Sequence, residues 1–116
     1  MRRAAESFVA SAKQAGGAYL FDYSARSVRR LDTMIDSEWP PGERPSAEVV
    51  AAMGAYLGEV LVRTLQGRWV QDSPAKEPGV LVGEKTIAFP LSKVRKRADL
   101  GAEHNLARFY AELAAS

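Results

Sequence analysis

An α+β fold is what this sequence predicts: a central buried helix, with flanking helices packed on one face of a small three-stranded antiparallel sheet. Three observations predict it. The stretch from Ser46 to Gln66 is apolar or small around most of a helical circumference. Apolar residues recur at intervals of three and four on either side of it, and between Gly67 and Phe89 the pattern changes to short aromatic and β-branched runs separated by turn residues. Helices, then a sheet, then helices again is the order expected when helices gather on one side of antiparallel strands.

The 116 residues suit a single domain, 1–116, able to bury about two thirds of the surface its unfolded chain exposes. There is no cysteine, which excludes disulfides, thiolate metal sites and cysteine nucleophiles and fits a cytoplasmic location. Arg2 and Arg3 open the chain, but Glu6 and Lys13 interrupt what would be the apolar core of a secretory leader, so export by such a leader is not expected. No window of about 18 uncharged apolar residues exists, and no membrane span is expected. A net charge of +2 is too small to imply a nucleic-acid partner by itself.

In order along the chain, Ala4 to Ala15 predicts a first helix with Phe8, Val9 and Ala12 facing the core, stopped by Gly16 and Gly17. Tyr19 to Tyr23 links forward. A second helix of about three turns starts from an N-cap at Ser24 or Asp22, with Val28, Leu31 and Ile35 inward and Asp32, Asp36, Arg29 and Arg30 as its solvated side. The run from Trp39 to Pro45 carries three prolines and a glycine, so it cannot continue a helix and crosses the surface, pinned by the indole.

The central helix then presents a broad face of Val49, Val50, Met53, Tyr56, Leu57, Val60 and Leu61, beside a stripe of small residues, Ala47, Ala51, Gly54 and Gly58. Glu48, Glu59, Arg63 and Gln66 mark a narrow polar strip. Each mid-helix glycine costs roughly 1 kcal/mol relative to alanine, so Gly54 and Gly58 predict a neighbour that approaches closely enough to offset that. Gly67 ends the helix. Arg68 to Asp72, Val80 to Val82 and Thr86 to Phe89 read as three strands of a meander, with a charged, proline-bounded loop at Ser73 to Pro78 and a turn at Gly83, Glu84 and Lys85. Pro90 is placed to open a helix in which Leu91 and Val94 face in, Lys93, Arg95, Lys96 and Arg97 face out, and Gly101 closes. A last helix, about Ala102 to Ala114, buries Leu106, Phe109, Tyr110 and Leu113.

The segments GAYLGEVLVRTLQGRWV and IAFPLSKVRKRADLG, with the markers Gly54, Gly58, Glu59, Gly67, Trp69, Pro90, Lys96, Arg97 and Gly101, resemble a family of small bacterial domains of unknown function. That family has a glycine-bearing helix leading into a Trp-containing strand and a proline-led basic helix. The similarity runs from about Asp22 to Phe109. It implies an α+β fold and brings no activity, cofactor or site residue.

No catalytic residue stands out. The single histidine, His104, lies on the opening turn of the last helix and reads as a surface or capping residue, without the Gly-x-Ser-x-Gly turn a serine hydrolase would need. The pair Asp32 and Asp36, beside arginines, reads as a solvated helix face. No spacing of His or acids suggests a metal, and no cofactor is expected. Glu59 with Arg63 reads either as an i, i+4 salt bridge or, with Tyr56 and Trp69, as polar lining of a pocket between the central helix and the sheet. The run Lys93, Arg95, Lys96 and Arg97 reads as a solvated face or a basic patch. It lacks interleaved aromatics and any nucleic-acid-binding motif. The function expected by elimination is non-catalytic: a protein-interaction or self-associating module. Two alternatives stay open: an enzyme or small-molecule binder using Tyr56, Glu59, Arg63 and Trp69, and nucleic-acid binding through the basic helix.

Overall fold

The computed structural model describes residues 1–14, 20–71 and 77–115. Within them the chain forms α1 (Arg2–Gln14), α2 (Ala25–Glu38), α3 (Ala47–Thr64), β1 (Arg68–Val70), β2 (Gly79–Val82), β3 (Thr86–Ala88), α4 (Pro90–Leu100) and α5 (Leu106–Ala115). The expected glycine stop at Gly16 and Gly17, and the stretch from Asp72 to Lys76, lie outside the described residues.

Helix starts follow the side chains that satisfy their free N–H groups. Ser24 accepts from the Ser27 N–H at 3.2 Å, and its own hydroxyl donates to Asp22 at 2.5 Å, so both candidate caps act in series to start α2. At 14 residues α2 is roughly four turns, one more than expected. Ser46 accepts from the Val49 N–H at 3.2 Å and starts α3. Beyond Thr64, Gln66 takes a positive φ of 55°, and the Gly67 N–H folds back to the Leu61 carbonyl at 3.2 Å. Pro90 occupies the first turn of α4, and Gly101, at φ 95°, closes it by donating to the Arg97 carbonyl at 3.1 Å.

α3 is the hub: every residue from Met53 to Leu61 is buried. α1 lies along one side of it with Ala5, Phe8 and Ala12 inward, while α2 brings Val28, Leu31 and Ile35 to the same core. The other side meets α4. At Gly54 an added Cβ would stand 2.7 Å from the Leu91 Cα, and at Gly58 it would overlap the six-membered ring of Trp69. The predicted close neighbour is therefore a helix at the first notch and a strand residue at the second. Ala47 and Ala51, earlier on the same stripe, remain exposed.

The strands pair antiparallel in the order β1-β2-β3, with Trp69 opposite Val80 and Val80 opposite Ala88. Val80, Val82 and Ala88 pack with Leu61, and the half-buried Leu65, Trp69, Phe109, Tyr110 and Leu113 complete a second core. The helices thus cover one face of the sheet, and β1 and β3 are its edges.

The last helix departs from expectation. Ala102–His104 forms a separate turn of 3-10 helix, and α5 begins only at Leu106 because Asn105 caps it, accepting from the Arg108 N–H at 2.9 Å. His104 sits in that turn and not on the opening turn of the last helix.

Candidate functional site

Two groups of side chains carry the chemistry that the sequence points to. The first extends from the polar strip of α3. Glu59 is 4% exposed and accepts from the Trp69 indole N–H at 2.7 Å, and the Arg63 guanidinium stands 3.7 Å from its other oxygen. Arg63 also lies over the Tyr23 ring, 3.6 Å from its centroid. Tyr23, held at φ 63°, stacks on Tyr56 with centroids 4.9 Å apart, and its backbone N–H donates to the Tyr56 hydroxyl at 2.9 Å. That hydroxyl donates in turn to Ser27 Oγ at 2.7 Å. The structure therefore brings Tyr56, Glu59, Arg63 and Trp69 into one continuous chain of contacts, with Tyr23 and Ser27 as members that the sequence reading missed.

This chain is satisfied internally except at one atom, the buried Tyr23 hydroxyl, which has no hydrogen-bond partner among the described residues. Burial pushes the Tyr56 phenol above its usual pKa, and burial does the same to Tyr23 against the opposing pull of Arg63. Five clefts on the surface of the described residues are lined by other side chains and reach none of Tyr56, Glu59, Arg63 or Trp69. Phe8 and Phe21 pack their rings around Tyr56 at 5.4 and 5.3 Å, and Trp69 fills the notch at Gly58.

The second group is the basic run of α4, and the structure divides it. Arg97 does not face out as expected. It is 3% exposed, its Nε donates to Asp32 Oδ1 at 2.9 Å, and its Nη2 donates to Asp36 at 2.8 Å. Burial pulls the Arg97 pKa down, but the hydrogen bonds and charges of Asp36 and Asp32 outweigh it and leave the pKa above the usual value. Asp32 is likewise not solvated: it is 7% exposed and also accepts from the Leu106 and Ala107 N–H groups at 2.9 and 3.0 Å. A carboxylate there meets the free N–H groups and positive dipole end of α5, so one side chain ties α2, α4 and α5 together. The signal was present in the α2 periodicity, since Asp32 lies about 40° from Val28 around the helix and so falls within the inward face.

Of the remaining cations, Arg95 pairs with Glu77 at 3.0 Å, and Ser92 also donates to Glu77. Lys93 is half-buried with its Nζ 5.7 Å from the Phe109 centroid, and Lys96 is exposed. Among the described residues neither lysine has an acidic partner. Both line a cleft of about 520 Å³ whose apolar walls are Ile87 of β3, Phe89 at the start of α4, and Phe109 and Leu113 of α5. Among the described residues, no three of His, Asp or Glu gather to hold a metal, and no helix is long and apolar enough to cross a membrane.

Comparison with curated proteins and with solved structures finds no match to either. The family model of DUF3806, a domain of unknown function, matches residues 27–110, from the first turn of α2 into α5. That range contains both glycine notches, the Glu59 to Trp69 contact, the Asp32 to Arg97 pair and the lysine-lined cleft apart from Leu113, and the chain belongs to the DUF3806 family.

Proposed function

We propose that this chain acts by binding another protein, as an interaction module, and that the cleft between β3, α4 and α5 is the contact surface. The observation that carries this reading is the pairing, in one depression, of apolar walls from Ile87, Phe109 and Leu113 with two lysines that lack acidic partners among the described residues. Apolar area supplies affinity at such a surface, and unpaired rim charge supplies orientation and partner choice.

The same contacts weigh against the two alternatives. An enzyme or small-molecule site at Tyr56, Glu59, Arg63 and Trp69 would need polar atoms free to meet a ligand, yet the Tyr56 hydroxyl and the Glu59 carboxylate are already engaged inside the domain. For nucleic acid, Arg97 is internal and Arg95 is paired, so Lys93 and Lys96 would together release only about two counterions, a weak electrostatic footprint.

The test is site-specific photo-cross-linking in the cells that make the protein, with benzoylphenylalanine replacing Ile87 in the cleft or, as a control, Ala10 on the exposed side of α1. Discrete adducts are expected from position 87 alone, and they should vanish when Lys93→Glu and Lys96→Glu are added. An adduct of twice the chain's own mass would identify the partner as a second copy. Equal adducts from both positions, or none from either, would overturn the reading.

A further inference from the structure

Resting on that reading of the cleft, we infer that its occupant is an extended acidic segment that adds as a fourth strand to the free edge of β3. Among the described residues β3 pairs only with β2, so it is an edge of the sheet they form. In an antiparallel ladder, alternate residues of an edge strand turn their N–H and C=O groups away from the partner strand. Among the described residues no hydrogen bond from outside the sheet reaches Thr86, Ile87 or Ala88. Such a row of backbone groups is a template for another strand.

The cleft lies at that edge. Successive strand residues project to opposite faces, so a depression touched by both Ile87 and Ala88 opens on the rim of the strand and not on one face. Across it stand Phe109 and Leu113 of α5, at the i, i+4 spacing that puts them on one side of the helix. A strand laid there would turn alternate side chains toward these apolar groups.

Charge selects the occupant. Among the described residues, Lys93 and Lys96 border the cleft without acidic partners, whereas the one carboxylate that lines it, Glu77, is already taken up by Arg95 and Ser92. The rim therefore presents a net positive field, complementary to Asp and Glu and repulsive to a basic strand. An alternating segment, acidic on one side and apolar on the other, matches both features. A nucleic acid would engage the lysines but make no use of the backbone edge.

The experiment uses the full chain and three synthetic seven-residue peptides: one alternating Glu or Asp with Val or Ile, its counterpart with Lys in place of the acids, and the acidic peptide with a central proline. Binding is followed by amide chemical shifts and hydrogen exchange. The acidic peptide is expected to bind, shift the amides of Thr86 to Phe89, and slow exchange along β3, with affinity falling as salt rises. The Lys and Pro peptides should not bind. Lys93→Glu with Lys96→Glu should weaken the acidic peptide roughly tenfold or more, by the sum of two reversed surface charges. Equal binding of the acidic and Lys peptides overturns the inference, as does acidic binding without change at β3, tolerance of the proline, or a single-stranded DNA oligonucleotide that shifts the same amides more tightly. Cleft-specific cross-links in cells combined with no acidic-peptide binding would overturn this inference alone. Absence of both would overturn the protein-binding reading as well.

Discussion

The Arg97 guanidinium of α4 lies 2.9 Å from the Asp32 carboxylate of α2, and both side chains are buried. They stand 65 residues apart in the chain, and the same carboxylate receives the first N–H groups of α5. Three helices whose buried residues Leu31, Ile35, Val94 and Leu106 share one core are thus also tied together by a single charge and the donors around it.

Removing one member of such a pair leaves the other charge buried without compensation. Asp32→Ala is expected to cost about 3–5 kcal/mol, whereas Asp36→Ala, whose side chain is 66% exposed, should cost under about 1 kcal/mol although it touches the same guanidinium. Urea unfolding of the two variants checks this. A cost for Asp32→Ala no larger than that of Asp36→Ala would mean that the pair does not organise the helices.

At Gly58 a methyl group would overlap the Trp69 ring, and Pro90 Cγ would stand 3.2 Å away. Alanine regains roughly 1 kcal/mol of helix propensity, but overpacking against a ring and a proline costs about 1–3 kcal/mol. The net expectation for Gly58→Ala is mild destabilisation with displacement of the indole from Glu59. The indole N–H to carboxylate bond makes the second effect visible: Trp69 emission should change, while that of Trp39, at the C-terminal end of α2, stays constant in a Trp69→Phe background. Unchanged Trp69 emission in Gly58→Ala would show that the strand does not bear on the notch.

Tyr56 supplies a pH dependence. Burial raises its folded-state pKa above 10.0, so the folded chain holds the phenolic proton longer than the unfolded one does. The stabilisation this represents is complete below the unfolded value of 10.0 and is lost as pH rises through the folded value, so stability should fall with alkaline titration above about pH 10. Tyr56→Phe removes the hydroxyl that bonds Tyr23 and Ser27 and should cost about 1–3 kcal/mol near neutral pH. It should also flatten the alkaline slope, leaving the contribution of Tyr23, whose pKa burial raises as well. Parallel alkaline profiles for the wild type and Tyr56→Phe would contradict this.

What was legible in the sequence follows from which forces are local. The hub helix, the cap at Ser24 or Asp22, the proline-led α4 and the three-strand meander depend on periodicity and on side chains that meet backbone a few residues away, and all were readable. The two notches announced a close neighbour, but not that one would be Leu91 and the other Trp69, since that depends on how α4 and β1 return across α3. The largest departure came at Asp32 and Arg97. Composition places charged residues outside unless each finds a partner, and partners 65 residues apart are invisible to a local pattern. Removing Arg97 from the exposed run also changed the meaning of the basic helix, leaving two lysines without acidic partners among the described residues beside an apolar cleft, where four cations had suggested a charged face.

α1 precedes the family match, which begins at residue 27, yet its packing makes it part of the same core. Phe8 lies 5.0 Å from Phe21 and 5.4 Å from Tyr56, ring to ring, inside the cluster that surrounds the hub. Truncating it opens a cavity against α3 and removes two aromatic contacts, so Phe8→Ala is expected to cost about 3–5 kcal/mol. If α1 were an appendage docked on a self-sufficient fold, the loss would instead appear as a separate early transition of α1, leaving the main unfolding unchanged. A single cooperative urea transition with an unchanged slope and a lowered midpoint is therefore the expected result, since a side chain buried against Tyr56 loosens the hub itself when it is lost.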